Sequence, residues 1–187
     1  MLEVRPLALA GVAEIVLAQV GDERGFFSEV WSRRGLREAG YDLDFVQDNH
    51  TRSQARGVLR GLHYQTPPAA QDKLVRVTRG SIFDVAVDIK RGSPTFGKWT
   101  SLVVSSTAWN QVLIPKGFAH GFVTLEDDTE VLYKVTAPYA PACDRAVRFD
   151  DPAIGVGWPM PASEMTLSPR DRNAPMLADA DLDHDWS

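Results

Sequence analysis

The sequence contains a single cysteine, Cys143, in 187 residues. One thiol cannot form an intrachain disulfide bond, and disulfides are the usual support of small secreted domains. A disulfide-stabilised scaffold is therefore excluded. The composition favours a protein of a reducing compartment, or one indifferent to redox conditions, and we predict a cytoplasmic location.

The sequence also lacks a hydrophobic run long enough to cross a membrane. Residues 7–20 are the candidate, but Glu14 interrupts them and they are shorter than the ~20 residues of a spanning helix. Arg5 is the only positive charge before this run, and no small-x-small cleavage site follows it. We therefore predict a strand near residues 14–20, and no association with a membrane.

Positive charge is not in excess. Twenty Lys and Arg residues stand against 25 Asp and Glu, which gives a net charge of −5 and a pI near 5.3. Such a chain has no overall electrostatic attraction to nucleic acid or to an anionic membrane. Any anionic ligand must therefore meet a local cluster of cations.

The sequence does contain a series of short strand-like runs. In SIFDVAVDIK (81–90), apolar side chains at every second position alternate with Asp84, Ala86 and Asp88, which is the period of a strand. Similar runs, separated by Gly and Pro, are KLVRV (73–77), WTSLVV (99–104), NQVLIP (110–115), HGFVTL (120–125) and EVLYKVT (130–136). Many short strands without intervening helical patterns indicate a mainly β protein, a sandwich or jelly roll.

One helix and one domain are predicted. The segment 32–39 has Ser32 as a candidate N-cap and is followed by Gly40, a typical stop signal. Neither a linker nor an internal repeat divides the chain, so we treat residues 1–187 as one domain. We expect the segment from Pro152 to wrap the surface, and the acidic tail from about residue 178 to be solvated.

Polar residues that are unusual in β cores cluster in four places. These are DERGFFSEVW (22–31), VQDNHTRSQARGVLRGLHYQ (46–65), PKGFAHGF (115–122), and the strand at 130–136 together with LSPRD (167–171). Taken singly, each has a purely structural explanation. A lone histidine in a β protein is more often structural than catalytic, and arginines and lysines are mostly solvated. The functional prediction therefore depends on the whole set.

Six segments, in their order and spacing, resemble the dTDP-4-dehydrorhamnose 3,5-epimerase family. They are GDERGFFSEVW, QDNHTRS, GVLRGLHYQ, QDKLVRVTRGSIFDVAVDIKRGSPTFGKW, IPKGFAHGF and LSPRD, and the resemblance covers about residues 1–180. It implies a cupin-type jelly roll with a few short helices, and a homodimer with strand exchange. It further implies a dTDP-4-keto-6-deoxyhexose substrate and no cofactor.

The sequence itself argues against a metal centre. PKGFAHG contains the P-x-G-x-x-H element that provides one ligand, here His120, in metal-binding cupins. Their first motif has two histidines one residue apart and then a glutamate, whereas HYQTPPAAQ contains only His63. Because a first-row metal normally takes three or four protein ligands, we predict that no metal is bound.

The resemblance implies four catalytic residues. His63 is the base, since an imidazole titrates near neutral pH, and Asp171 orients its ring and stabilises the imidazolium. The hydrogens at C3 and C5 of a 4-keto sugar are both α to the carbonyl, so removal of either gives an enolate. Lys73 would hold the charge on O4, and Tyr133 would return a proton from the opposite face and so invert the carbon.

The resemblance also implies a set of substrate-binding residues. Arg24 and Arg60 suit the diphosphate, His120 is expected to line the sugar or phosphate pocket, and Tyr139 to stack on thymine. Other family positions that contact the substrate are Phe27, Glu29, Gln47, Asp48 and Asn49.

Four binding positions need a further remark. In the family, the residues at Arg24 and Glu29 come from the exchanged strand of the neighbouring subunit. Asp144 and Arg170 stand where the family commonly has Glu and Lys, which keeps the charge and changes the reach. Both are predicted as substrate contacts.

Alternatives to the 3,5-epimerase remain open at this stage. A C3- or C5-only epimerase, or a 3,4-ketoisomerase, would use the same scaffold and the same residues. A non-catalytic cupin that binds a sugar nucleotide or a regulatory ligand would need neither a base nor an acid. A metal-dependent dioxygenase or isomerase is disfavoured by the missing His-x-His.

Overall fold

A computed structural model of the protein describes residues 2–186 and is mainly β, as predicted. The strands are β1 (Glu3–Pro6), β2 (Ala13–Val16), β3 (Val20–Asp22), β4 (Gly25–Phe27), β5 (Gln47–Ser53), β6 (Leu59–Gln65), β7 (Lys73–Arg79), β8 (Ser81–Asp88), β9 (Trp99–Ser105), β10 (Asn110–Ile114), β11 (Phe118–Thr124), β12 (Thr129–Val135) and β13 (Asp144–Ala146). The helices are α1 (Arg33–Glu38) and α2 (Pro169–Arg172), with 3₁₀ turns at Ala162–Glu164 and Leu177–Asp179. None of these helices is long enough to span a membrane.

Two antiparallel sheets form the jelly roll. The first sheet has the strand order β1-β2-β10-β7-β12-β5, and the second has the order β13-β6-β11-β8-β9. Within residues 2–186, strands β3 and β4 pair only with each other, as a separate hairpin. The cupin-type jelly roll implied by the sequence is therefore confirmed.

The main core lies between the two sheets. Val75, Val112 and Val131 of the first sheet and Ile82 and Phe122 of the second belong to one buried cluster. Both sheets are also covered on their outer faces, so their strands are buried on two sides. Strands buried on both faces need not show strict apolar–polar alternation.

The C-terminal segment covers the outer face of the second sheet. Leu182 and Trp186 are buried beside Val85 and Val87 of β8. The expectation of a solvated acidic tail is therefore wrong for the described residues. Apolar side chains among the aspartates dock the segment on the sheet, and burying a leucine contributes about 1.5–3 kcal/mol.

The predicted helix is confirmed at both ends. The Ser32 hydroxyl accepts a hydrogen bond from the Gly35 N–H, as an N-cap does. Gly40, with φ of +95°, takes the left-handed conformation that ends many helices. The helix buries Leu36 against the outer face of the first sheet.

The predicted strands of the chain's middle are also confirmed, within one or two residues at each end. The single strand near residues 14–20 is wrong, because the chain forms β2 and β3 there, with residues 17–19 between them. Strands β5 and β6 lie within residues 46–65, which stand out in the sequence only as a cluster of polar residues. Every second side chain of β5 is exposed, and its inward side chains are also polar, so it carries no apolar signal.

Candidate active site

A cavity of about 330 Å³ lies between the two sheets. It brings together the four predicted catalytic residues, His63, Lys73, Tyr133 and Asp171, with five predicted binding residues, Arg60, His120, Tyr139, Asp144 and Arg170. Six further residues line it that the sequence did not single out: Thr51, Tyr64, Gln65, Gln71, Phe122 and Ser168.

His63 and Asp171 form a hydrogen-bonded dyad. The His63 Nε2 lies 2.6 Å from Oδ1 of Asp171, whose side chain is almost fully buried. Ser168 caps α2 and its hydroxyl accepts the Asp171 N–H, which fixes the carboxylate at the first turn. Burial alone would raise the pKa of Asp171, but the hydrogen bonds from His63, Ser168 and the Gly61 N–H lower it.

This arrangement determines which ring nitrogen of His63 is free to accept a proton. An ionised carboxylate only accepts hydrogen bonds, so Asp171 takes the Nε2–H. Nδ1 then carries the lone pair. Within residues 2–186 it has no hydrogen-bond partner, and it is not among the polar atoms sealed from solvent. It is therefore the atom available to a ligand in the cavity.

A second histidine–carboxylate pair lies beside the first. His120 on β11 is the register partner of His63 on β6, and its Nε2 lies 2.7 Å from Oδ2 of Asp84 on β8. Asp84 is 1% exposed and His120 is 7% exposed. Sequence reasoning took Asp84 only as the polar half of an alternating strand. The signal that could have identified Asp84 is its position on β8, which pairs with the strand that carries His120.

Glycines allow the two histidine strands to approach each other. A Cβ on Gly61 would lie 2.5 Å from the Gly121 Cα, and the φ of Gly61 is +135°. A Cβ on Gly121 would lie 2.9 Å from the Arg60 carbonyl oxygen. Side chains at either position would separate β6 from β11 and disturb the alignment of the two histidines.

The donor set does not fit a metal ion. The Nε2 atoms of His63 and His120 are each occupied by an aspartate. No group of three or more His, Cys, Asp or Glu side chains in the described part of the chain is placed to hold a metal. A catalytic zinc site, by comparison, uses three protein ligands and one open position.

Lys73 places a buried cation at the cavity. The residue is 8% exposed, and its Nζ donates to the His63 carbonyl oxygen at 3.3 Å. Burial lowers the pKa of Lys73 to about 8, against the opposing effect of Asp84 and Asp144. The ammonium is therefore mostly charged at neutral pH, in surroundings that strengthen its interaction with an anion.

Tyr133 lies on the other sheet, across the cavity from His63. It shares a face of β12 with Val131 and Val135, which are fully buried, and it packs against the main core. Burial raises the pKa of its phenol, and Arg60 opposes this effect. The Tyr133 hydroxyl has no hydrogen-bond partner among residues 2–186. The predicted orientation into the barrel is confirmed, and the phenol stays protonated at neutral pH.

A chain of polar contacts lines the mouth of the cavity. The Tyr139 hydroxyl donates to Oδ2 of Asp144 at 3.1 Å, and Arg170 donates to Oδ1 of the same carboxylate at 2.7 Å. The hydrogen bond to Asp144 raises the pKa of Arg170. Tyr139 is 58% exposed, so the face of its ring is open to stacking.

Arg60 joins the cavity wall to β5. Its Nη2 donates to the Arg52 carbonyl oxygen at 3.5 Å, while its buried Nε has no partner in the described chain. Gln47 and Asn49 follow on the inner side of β5, linked to each other by a 2.8 Å hydrogen bond. Gln47 also accepts the Tyr139 N–H, so it supports the mouth although neither residue lines the cavity.

Four predicted binding residues lie away from the cavity of their own chain. Arg24 is at the end of the β3–β4 hairpin and pairs with Asp22, and Phe27 is 74% exposed. Glu29 accepts a hydrogen bond from Ser32. Asp48 points to the outer side of β5, where Lys134 binds it at 2.7 Å. The structure therefore gives these four residues no place in the site of one isolated subunit.

Comparison with known proteins decides the family. The family profile of dTDP-4-dehydrorhamnose 3,5-epimerase matches residues 6–179. The chain belongs to this family. A dTDP-4-dehydrorhamnose 3,5-epimerase of Sinorhizobium fredii is 49% identical over 173 residues, which is 92% of this chain and 88% of that protein.

Solved structures of the epimerase family are also similar. The dTDP-6-deoxy-D-glucose-3,5-epimerase of Legionella pneumophila, in complex with dTDP-4-keto-L-rhamnose, has a TM-score of 0.90 and 41% identity, over 95% of this chain and 94% of that one. A 3′-monoepimerase of Streptomyces bikiniensis, in complex with dTDP-quinovose, has a TM-score of 0.87 and 36% identity, over 93% and 87%. The chain is thus similar both to a protein named for one inverted carbon and to a protein named for two.

Proposed function

We propose that the protein epimerises C3 and C5 of dTDP-4-dehydro-6-deoxy-D-glucose to give dTDP-4-dehydro-L-rhamnose. The observation that carries the proposal is the placement of a base and an acid on opposite walls of one cavity. His63 belongs to the second sheet and Tyr133 to the first. A flat enolate between them loses its proton to one wall and regains a proton from the other.

Each inversion is a pair of proton transfers. The Nδ1 of His63 removes the proton from the carbon α to the carbonyl, and the C–H electron pair forms the enolate with its charge on O4. Asp171 stabilises the imidazolium through Nε2. The Tyr133 hydroxyl then protonates the opposite face of the carbon, and the C4 carbonyl re-forms. His63 and Tyr133 return to their starting states by proton exchange with water.

Three further residues of the cavity bind the substrate. Lys73 holds the negative charge that develops on O4, in the manner of an oxyanion hole. Arg60 lines the cavity and offers its guanidinium to the diphosphate, and the exposed ring of Tyr139 offers a face to thymine. The single cysteine is consistent with a cytoplasmic site for the reaction.

Incubation with dTDP-4-keto-6-deoxyglucose in D₂O tests the proposal directly. The mixture contains a chelator and no added metal, and NMR locates deuterium and determines the configuration of the product. Deuterium at both C3 and C5 of an inverted product supports the proposed function. Binding of dTDP without any exchange supports the non-catalytic binding module instead.

An epimerase of one carbon is the second candidate. The similarity to the Streptomyces bikiniensis 3′-monoepimerase favours it, because the two folds match at a TM-score of 0.87. The same D₂O experiment separates the two candidates. Deuterium confined to C3, with C5 unlabelled after long incubation, assigns the protein to the one-carbon class.

The charge of Lys73 predicts how the reaction depends on pH. We expect kcat/KM, which reports groups of the free enzyme, to fall as the pH rises through about 8, where Lys73 loses its proton. In Lys73→Met this alkaline limb should be absent and the rate lower throughout. A wild-type rate that stays constant up to pH 10 would contradict a role for the ammonium.

The contribution of Lys73 to the free energy of unfolding rises with pH, whereas the rate is expected to fall. Unfolding measurements therefore provide a control for the rate measurements. Lys73 has a folded pKa of about 8, below its ordinary value of 10.5. Between these values the unfolded chain holds this proton and the folded chain does not, so the contribution of Lys73 to the free energy of unfolding rises with pH. Thermal unfolding of wild type and Lys73→Met across this range shows whether a lost rate reflects denaturation.

We further propose that two subunits exchange the β3–β4 hairpin to complete each site. The hairpin exposes Val20, Phe26 and Phe27 by 71%, 55% and 74%, which is unusual for adjacent apolar side chains. Arg24, in the same hairpin, has an 85% exposed side chain and lies outside its own chain's cavity. Delivery of this arginine to the partner's cavity would place a second guanidinium on the diphosphate.

Mixed dimers test the exchange. Arg24→Ala and His63→Asn are each expected to be nearly inactive, the first because a lost charge-assisted contact costs roughly 1.5–3 kcal/mol. Co-expressed with different tags, they form mixed dimers in which one site carries both changes and the other carries neither. Random pairing then restores about a quarter of the wild-type sites. No recovery in purified mixed dimers would show that Arg24 acts within its own subunit.

A further inference from the structure

The two histidines of the cavity have the same arrangement and different surroundings. Both use Nε2 to bind a carboxylate, and for both the Nδ1 has no partner in residues 2–186 and is not sealed from solvent. The His63 side chain is 30% exposed, whereas that of His120 is 9% exposed, with its Asp84 partner at 1%. The second pair is therefore part of the wall rather than a group that solvent reaches easily.

The charges around the second pair favour a neutral imidazole. Lys73 interacts electrostatically with both Asp84 and His120. The single negative charge of Asp84 can compensate one buried positive charge, and Lys73 already provides that positive charge. Burial lowers the pKa of His120, the Asp84 charge opposes this, and the charges of Lys73 and His63 add to the lowering. A second cation at His120 is therefore unfavourable.

A neutral His120 that donates Nε2–H to Asp84 is a hydrogen-bond acceptor toward the cavity. Its Nδ1 carries a lone pair, which suits a hydroxyl and does not suit a phosphate oxygen. The tautomer is set by the bond at the far nitrogen, which here is the 2.7 Å contact with Asp84.

We propose that Asp84 is a positioning residue that fixes His120 as an acceptor for the C2 hydroxyl of the substrate's sugar ring. The proposal rests on the proposed function and assigns His120 to the sugar rather than to the diphosphate. The C2 hydroxyl can keep one hydrogen-bond partner throughout, because C2 keeps its configuration during the reaction. The C3 hydroxyl changes sides when C3 is inverted, so it cannot keep one partner throughout.

The tautomer can be measured without any variant. In wild-type protein labelled with ¹⁵N at histidine, we expect His120 to carry its proton on Nε2 at neutral pH. In Asp84→Asn the side-chain amide can itself donate to Nε2, so a population with the proton on Nδ1 should appear. An imidazolium, or an Nδ1–H tautomer, in the wild-type protein would overturn the proposal.

Substrate and variant together identify the hydroxyl. With the parent 4-keto sugar, Asp84→Asn should lower kcat/KM about tenfold, the effect of one lost hydrogen bond. The 2-deoxy analogue should lower the wild-type value by a similar factor. Because both changes remove the same contact, the variant should lose nothing further on the 2-deoxy analogue. Additive losses, or a wild-type enzyme indifferent to the 2-deoxy analogue, would overturn the assignment.

Asp88→Asn is the matched control. Asp88 is on the same strand, is equally buried, and accepts hydrogen bonds from Ser93 and Thr95 away from the cavity. We expect this variant to be less stable than wild type and to retain the wild-type preference for the 2-hydroxyl. A wild-type protein that fails to exchange C3 or C5 protons of the parent substrate would contradict the proposed function instead. Wild-type activity with additive losses contradicts only the role of Asp84.

Discussion

Replacing His63 with asparagine is expected to lower both solvent exchange and epimerisation by roughly 10²- to 10⁴-fold, the usual contribution of general base catalysis. Asparagine can still bond to Asp171, but it has no nitrogen that accepts a proton at neutral pH. Deuterium incorporation at C3 and C5, followed by NMR, measures the loss. Affinity for dTDP, measured by calorimetry, should remain close to wild type because His63 is assigned to the sugar.

His50→Asn provides the control for this change. His50 lies on the outer side of β5, where its Nε2 contacts Glu130 at 3.0 Å, and its side chain is 55% exposed. Its removal should leave exchange unchanged. Undiminished exchange in His63→Asn would transfer the base role to another group, with His120 the nearest candidate across the β6–β11 pair.

Much of the site was predictable because its residues have distinctive chemistry and lie in recognisable motifs. His63, Lys73, Tyr133 and Asp171 come from four separate segments, and the fold places all of them at one cavity. The resemblance to the family implied their roles, and their side-chain chemistry agrees with proton transfer. Their relative placement on two facing sheets followed from the register of β6, β11 and β12, which no local pattern contains.

Asp84 shows why part of the site was not predictable. In the sequence it alternates with valines, which usually means a solvent-facing position on a half-buried strand. The second sheet is covered on both faces, so the side of β8 that carries Asp84 faces the core between the sheets, where Asp84 binds His120. The C-terminal segment that provides part of this cover was itself expected to be solvated. The wrong expectation of a solvated tail therefore contributed to the wrong expectation that Asp84 faces solvent.

The β3–β4 hairpin, for which we propose exchange between subunits, was also only partly predictable. The segment DERGFFSEVW is predicted to bind substrate, but a single chain holds Arg24 and Phe27 away from its own cavity. Local structure explains how the hairpin is held at its base: Phe26 packs edge-on against Trp109 at 4.7 Å, and the indole N–H of Trp109 donates to Ser28. The proposed role of the hairpin in a partner's cavity cannot be read from one chain.

Replacing Tyr133 with phenylalanine is expected to separate proton removal from inversion. The ring keeps its packing against Val131 and the rest of the core, and only the proton donor is lost. The Tyr133 hydroxyl has no protein partner in the described chain, so the free energy of unfolding should change by less than about 0.5 kcal/mol. His63 should still form the enolate and exchange the C3 proton with D₂O.

Tyr64→Phe is the matched variant for Tyr133→Phe. Tyr64 also lines the cavity, but its hydroxyl donates to the Asp181 carbonyl oxygen at 2.9 Å and so serves the C-terminal segment. Its loss should lower the free energy of unfolding by about 0.5–1.5 kcal/mol and leave inversion intact. Tyr133→Phe is therefore expected to change the stereochemistry and not the stability, and Tyr64→Phe to change the stability and not the stereochemistry.

The stereochemistry of the deuterated product decides the role of Tyr133. Without the phenol, the enolate regains its proton mainly from the His63 side, so deuterium enters C3 with the configuration retained and inverted product is scarce. Exchange and inversion are measured in one sample, so a general loss of activity lowers both and is distinguished from a loss of inversion alone. Inversion at the wild-type rate in Tyr133→Phe would remove Tyr133 from the mechanism, because a tyrosine whose hydroxyl is dispensable serves only to pack the barrel.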